Sequence, residues 1–338
     1  MEVLRAVRQW WHDRQRLGIT ATPALPRPPA RLSMQADRRF RTLLGAFAGV
    51  IVLLIGAMVI LLVSDSLTAW QHFGIVQFIT GTDWNPPFKI FGALPYIYGT
   101  IVTSVMALII ATPIGIGCAV FLTEFAPRWV RTPLSLTVEM LASVPSVVFG
   151  LWGIFYFAPW LRSGVEQWLT HNLDWIPLFK GPAFGIGIFA AGFILSIMIV
   201  PYITAITREV MLKVPTAQRE GMLALGATRW EVVRMVVIPF ARSGIVGGAI
   251  LALGRALGET MAVTMLIGNR GQIKPSLFAQ GATMSSVLAN EFTEATFQLY
   301  TSSLIAIGLL LLVVALIMNI LGRWLVSFSA RNEARGGA

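Results

Sequence analysis

Arg255 and Glu259 stand four residues apart inside an apolar run, in the stretch Gly254-Arg255-Ala256-Leu257-Gly258-Glu259-Thr260. The flanking residues, Ile245 to Leu253 and Met261 to Ile267, have the character of a membrane span. A charge at the bilayer centre costs about 2.5–3.5 kcal/mol on insertion scales. A chain carries such a cost where the charge faces something polar, either a partner helix or the path of an ion. A four-residue spacing puts both side chains on one face of a continuous helix. Two chemistries therefore fit: a structural ion pair that locks two helices, or a charged face that lines a path. For a helix starting near Arg242, a rise of about 1.5 Å per residue sets Arg255 roughly 20 Å in, near the midplane.

The elements around this pair carry their own signals. Gly244 and Gly248, and again Gly254 and Gly258, are spaced four apart, which lets helices approach closely in lipid. Flexible or incidental glycines are the alternative. Glu139 is the other acidic residue at membrane depth and is expected near a span end, within reach of water. Pro145 should kink its helix and free backbone carbonyls, and Pro113 is a second candidate kink. The single cysteine, Cys118, permits no internal disulfide. His12, His72 and His171 are scattered and form no metal constellation.

Composition sets the class. The chain has 338 residues, of which 56% are hydrophobic and 12% charged, against about 25% charged in soluble domains. Its mean hydropathy is +0.72. An all-α integral membrane protein is expected, because uninterrupted apolar runs of this length are too long for barrel strands. Spans fall near 43–63, 96–122, 135–160, 183–205, 242–267 and 302–325, within a transmembrane domain over 43–326. The first apolar run begins too late for a cleavable signal peptide and reads as an uncleaved anchor.

A net charge of +10 would suggest nucleic acid in a soluble protein, but the positive-inside rule explains it better here. Lys and Arg crowd the first 42 residues, the loop after the second span (Arg128, Arg131), the loop over 206–241 (Arg208, Lys213, Arg219, Arg229, Arg234) and the end of the chain (Arg323, and Arg331 and Arg335 in the tail over 327–338). The opposite loops hold Lys89, Arg162, Lys180, Arg270 and Lys274. Both termini are expected in the cytoplasm. Residues 1–42 read as a basic arm, with an amphipathic stretch over 1–17 suited to lipid or a disordered tail, followed by a proline-rich linker over 21–31.

The loop over 206–241 reads as two short helices. The first starts at Pro215 and Thr216 and ends at Gly226, which takes the left-handed cap conformation cheaply. Thr228-Arg229-Trp230-Glu231 is a capping box in which the threonine hydroxyl and the glutamate satisfy free N–H groups reciprocally. The second helix is expected to stop at Pro239.

The spacing within this loop adds a resemblance. Glu220-Gly221-Met222, Gly226 and then Val236-Val237-Ile238-Pro239 resemble the cytoplasmic coupling-loop signature of ABC-importer permeases, with departures at Gly221, Met222 and Ile238. Gly247-Gly248, Leu253 to Thr264 and Ile267-Gly268-Asn269 resemble the phosphate-permease branch of that family. So do Gly99 to Ser104, Phe121 to Glu124, Pro145 to Gly150, Gly181 to Gly187 and Pro201-Tyr202. The likeness runs from about residue 90 to 295 and does not reach the arginine-rich start.

This resemblance implies a type I ABC-importer permease fold and a role in taking up inorganic phosphate. From the charged face of an otherwise apolar helix, Arg255, Glu259 and Thr260 are expected on the substrate path, Arg255 contacting phosphate and Glu259 pairing with it or with the partner subunit when the path is empty. Glu220, Gly221, Gly226, Thr228, Glu231 and Pro239 would belong to the loop that docks on the ATPase. The implied partners are a second homologous permease subunit, two ATP-binding subunits and an extracytoplasmic phosphate-binding protein, with membrane lipid around them and no nucleic acid. No Gly-x-x-x-x-Gly-Lys-Ser/Thr loop is present, and no glycine precedes Lys89, Lys180, Lys213 or Lys274. The chain is therefore expected to bind no cofactor of its own and to be no enzyme, with ATP and Mg used by the ATPase subunit. Other readings are a sulfate or molybdate permease of the same architecture, a secondary transporter or channel without ATPase partners, and a membrane signalling component.

Overall fold

The structure, a computed structural model, describes residues 30–336, with side-chain surroundings over 36–324. The basic stretch and most of the linker expected before residue 30 lie outside the described residues.

Helix α1 (Ala30–Phe73) has no charge from Leu43 to Val63 and shows large apolar side chains such as Val52, Leu53 and Ile60 on its surface. Its 44 residues extend about 66 Å, well beyond a hydrocarbon core of about 30 Å. A short helix α2 (Ile75–Thr80) and a two-stranded ribbon follow, with β1 (Trp84–Asn85) antiparallel to β2 (Ile90–Phe91). The remaining helices are α3 (Leu94–Phe125), α4 (Arg128–Ser143), α5 (Ser146–Asn172), α6 (Ile188–Leu212), α7 (Thr216–Ala224), α8 (Arg229–Gly258), α9 (Met261–Leu266), α10 (Met284–Glu291) and α11 (Gln298–Gly336).

Among the described residues, helices α1, α3, α6, α8 and α11 are long and apolar enough to cross a membrane, and the bent pair α4/α5, counted as one broken span, brings the number to six. Three buried clusters stack along residues 61–336. At one end, Ala119 and Val120 of α3 meet Met211 of α6, Val214, and Val232 to Ala241 of α8. In the middle, α6 packs against α3, α5, α9 and the end of α8. At the opposite end, Phe78, Phe91, Tyr96 and Tyr300 gather around the ribbon and the starts of α3 and α11. There the Glu291 carboxylate accepts from both the Trp84 indole and the Tyr300 hydroxyl, each at 2.7 Å.

Lipid gives apolar side chains no reason to prefer one another, so close approach and polar contacts fix this packing. A Cβ on Gly115 would stand 2.8 Å from Ile203, and one on Gly99 would stand 2.1 Å from the Ala282 carbonyl oxygen. The amide of Met284 donates to the Thr100 hydroxyl at 2.9 Å, which seats the start of α10 on α3.

Three expectations are corrected. The third span is not one kinked helix over 135–160. The chain turns by 90° between α4 and α5, because Val144 is extended and Pro145, which has no N–H to donate, starts the next helix. The fifth span is not continuous over 242–267, since α8 ends at Gly258 and α9 begins at Met261. Pro239 does not stop its helix. A π-helical turn over Val233–Val237 shifts the hydrogen-bond register just before it, so the missing donor falls in the first turn of the helix that continues, where none is needed. Pro113 likewise lies within α3 without ending it.

Candidate functional site

The break between α8 and α9 decides what Arg255 and Glu259 can do. Arg255 sits in the last turn of α8, where the unsatisfied carbonyls carry partial negative charge. Gly258, a poor helix former, is followed by Glu259 in extended conformation (φ −69°, ψ 126°). Freed backbone groups must be satisfied within the protein at this depth. The Ser285 hydroxyl donates to the Glu259 carbonyl at 2.8 Å, and the Thr260 hydroxyl donates to the Gly258 carbonyl at 3.2 Å. Glu259 therefore leaves the helical face that carries Arg255. The shared face expected from a four-residue spacing is lost, and among the described residues no ion pair joins the two.

The Arg255 guanidinium lies instead over the Tyr202 ring of α6, 4.6 Å from its centroid. Tyr202 is held in turn, its hydroxyl donating to the Ala142 carbonyl in the last turn of α4 at 3.0 Å. The ring face attracts the cation and leaves the edge of the guanidinium, with its fork of donors, unoccupied. Among the described residues the buried Nε of Arg255 has no hydrogen-bond partner, as is also the case for Arg131, Arg208 and Arg219. Glu259 is itself buried, at 9% exposure. Tyr202 entered the sequence reading only through the Pro201-Tyr202 motif, and its contact with Arg255 needs the tertiary fold.

The glycine pairs separate into two kinds. A Cβ on Gly244 would stand 2.3 Å from Val210, and one on Gly248 would stand 3.2 Å from Ile206. Both partners are on α6, so this pair is where α8 and α6 meet. A Cβ on Gly254 would make ordinary contact with Asn319 at 3.6 Å, and at Gly258 nothing lies within 4 Å. Close packing is thus a property of Gly244 and Gly248, whereas Gly258 stands at the helix break.

The loop between α6 and α8 has the expected caps. α7 ends in a Schellman arrangement, with Gly226 at φ 87°, Gly226 N–H donating to Leu223 O and Ala227 N–H donating to Met222 O. The Thr228 amide donates to Glu231 Oε2 at 2.7 Å, and the Glu231 amide donates to Thr228 Oγ1 at 3.3 Å. Glu220 and Gly221 are on the exposed side of α7, and no atom stands within 4 Å of a Cβ on Gly221. Leu225 is 84% exposed and Trp230 58%. Beside them opens an apolar groove of about 690 Å³ lined by Met222, Leu225, Met235, Val236 and Phe240 among others. Glu139 is exposed near Arg208 in a crevice between α4 and α6.

What ties this loop to the membrane helices is an ion pair. Arg219 of α7 stands 3.0 Å from Glu124 at the end of α3, and the same Arg219 Nη2 donates to the Met211 carbonyl at the end of α6 at 2.7 Å. Arg131 of α4 donates to the Thr123 carbonyl at 2.8 Å. One arginine thus joins the loop helix to two spans. Glu124 was legible only as the last residue of Phe121-Leu122-Thr123-Glu124, and Arg219 only as one of several loop cations.

The family described as binding-protein-dependent transport system inner membrane component matches residues 111–329. The chain is 47% identical over 306 residues to the phosphate transport system permease protein PstC of Mesorhizobium japonicum, covering 89% of this chain and 92% of that protein. It is 43% identical over 292 residues to the PstC of Haemophilus influenzae, covering 85% and 92%. Among solved structures it is similar to a bacterial alginate ABC transporter in complex with an alginate-bound periplasmic protein, with a TM-score of 0.56 at 16% identity over 86% of this chain and 93% of that one. It is also similar to the inward-facing MetNI methionine ABC transporter, with a TM-score of 0.54 at 19% identity over 72% and 98%. At these identities the solved structures speak to fold alone.

Proposed function

We propose, for a chain that belongs to the family of binding-protein-dependent transport-system inner-membrane components, that it forms half of the translocation path of an ATP-driven importer of inorganic phosphate. The observation that carries this reading is Arg255. It is a guanidinium beside a break in a membrane helix, braced by the Tyr202 ring from one side. Its planar fork matches the oxygens of a phosphate. Interrupted helices at membrane depth are found where backbone lines a cavity or a path. The name shared by the relatives, phosphate transport system permease protein, supports phosphate over sulfate or molybdate.

In this reading the face bearing α7 is cytoplasmic, and the positive-inside distribution of Lys and Arg assigns both termini to the cytoplasm as well. A second homologous permease subunit completes the path, two ATP-binding subunits dock on α7 and its apolar groove, and a phosphate-binding protein delivers substrate from outside. ATP and Mg belong to the ATPase subunits, and this chain performs no catalysis. Movement of α7 reaches the ends of α3 and α6 through Arg219. α6 carries Tyr202, so the same displacement reaches the ring that positions Arg255. Thr260 and Glu259, at the break, complete the polar patch on the path.

The test is labelled-phosphate uptake in cells that lack their own importer, supplied with this chain and its neighbouring operon subunits. Uptake that requires this chain, ignores excess sulfate and molybdate, and is lost in Arg255→Gln at wild-type expression is expected. Suppression by either competitor would replace phosphate as the substrate. Normal uptake by Arg255→Gln would remove Arg255 from the path.

A further inference from the structure

At the end of the molecule opposite α7, two loops meet around a pocket of about 260 Å³. One loop joins α5 to α6 and supplies Lys180. The other joins α9 to α10 and supplies Arg270 and Lys274. Gln272, Ser276 and Gln280 add neutral polar groups, and among the described residues no carboxylate lines the pocket. Among the described residues none of the three cations forms an ion pair. Five Lys or Arg residues were assigned to this side of the membrane from the sequence, and three of them converge here.

The loops are held by backbone bonds, so the cations sit on a fixed frame. Leu277 N–H donates to Leu178 O, Ile188 N–H to Ala279 O, Phe189 N–H to Leu277 O, and Arg270 N–H to Gly281 O. The Tyr98 hydroxyl of α3 holds the Lys274 carbonyl at 3.0 Å. Gly181, at φ 120°, brings the first loop against Ser276. Three like charges converging on a concave, preorganised pocket repel one another unless an anion joins them, and such clefts raise the local concentration of counter-ions. The concavity suits a small oxyanion with its water more than the convex surface of a protein. The pocket is also connected to the helix break. From Glu259 and Thr260 the chain runs through the six residues of α9, about 9 Å of helix, and reaches Arg270 four residues later.

We propose that Lys180, Arg270 and Lys274 form an outer oxyanion site that holds inorganic phosphate before it reaches Arg255. This rests on the phosphate-importer reading above. The experiment uses the assembled importer in nanodiscs of zwitterionic lipid, without its binding protein and in the Arg255→Gln background, titrated with labelled phosphate at low ionic strength. The variant K180Q/R270Q/K274Q should lose affinity at this site by about tenfold or more, while K180R/K274R keeps it. In the otherwise unsubstituted importer, the triple variant should raise the KM for uptake by about tenfold with kcat within twofold.

Unchanged phosphate binding and KM in a correctly assembled triple variant would overturn the proposal. So would a triple variant that binds phosphate normally but loses affinity for the binding protein, which would make the pocket a docking surface. If anionic lipid in the nanodisc removes the labelled phosphate from this site while uptake KM is unmoved, the site takes lipid headgroups and the proposal also falls. Absence of phosphate uptake by the unsubstituted importer would count against the phosphate assignment, and the binding titration would still report on the pocket.

Discussion

The pair Arg219–Glu124 is the sharpest place to test how the α7 loop works. Their side chains are 20% and 14% exposed at a separation of 3.0 Å, so the pair lies between a solvated and a buried ion pair. At an effective dielectric of about 20 the attraction is about 5.5 kcal/mol. Desolvation of both groups removes most of it, and exposed pairs retain about 0–1 kcal/mol. A net coupling of about 1–2 kcal/mol is the middle course, which corresponds to about a five- to thirtyfold change in an equilibrium. Arg219 also satisfies the Met211 carbonyl, so Arg219→Ala should cost more than Glu124→Gln, which keeps shape and loses charge. The assay is ATP hydrolysis stimulated by the loaded binding protein in the reconstituted importer, for both single variants and the double. If the pair transmits the movement of α7, each single variant loses stimulated activity by about fivefold or more, and the double is little worse than Arg219→Ala. Losses that multiply in the double variant, or full stimulation in Arg219→Ala, would refute the reasoning.

Other consequences follow from single contacts. Tyr202→Leu removes the ring under Arg255, worth about 0.5–2 kcal/mol, and should slow phosphate uptake about three- to tenfold, whereas Tyr202→Phe keeps the ring and most of the rate. Gly244→Val collides with Val210 across the α6–α8 contact and should lower the yield of folded subunit in size-exclusion chromatography, while Gly258→Ala, with open space around it, should leave yield unchanged. Gly99→Val drives a side chain into the Ala282 carbonyl and should abolish folding by the same measure. Thr228→Ala opens the capping box at the start of α8 and should speed amide hydrogen exchange at Glu231, leaving exchange within α6 as it was.

The parts of this fold that were legible in the sequence are those set by local rules. Uninterrupted apolar runs gave the spans, because a backbone in lipid has to close its own hydrogen bonds. Thr228, Glu231 and Gly226 gave the caps, because those geometries belong to a few side chains within one turn. Pro145 gave the place of a bend, although its 90° size depends on α4 leaving the direction of α5 altogether. The break at Gly258–Thr260 was hidden by the same hydropathy that revealed the span, since an apolar window is blind to a change in ψ at Glu259. The acceptance of Pro239 within a helix was hidden for a related reason, as a π turn leaves no mark in residue type.

Arg255 and Glu259 show where reading by spacing fails. Positions i and i+4 face each other only while every residue between and beside them stays helical. Here a glycine at the break and two hydroxyls, Ser285 from another element and Thr260 from the next residue, make leaving the helix affordable. The consequence is functional. An Arg255 paired along its own helix would spend its fork on Glu259 and have nothing to offer an anion. An Arg255 stacked on Tyr202 keeps its edge free, and its position is fixed by α6, the helix that Arg219 links to the α7 loop. In the proposed path, substrate contact and loop movement would meet on one helix, so a change that leaves both Arg255 and α7 intact but loosens α6 between Tyr202 and Met211 should uncouple ATP hydrolysis from uptake.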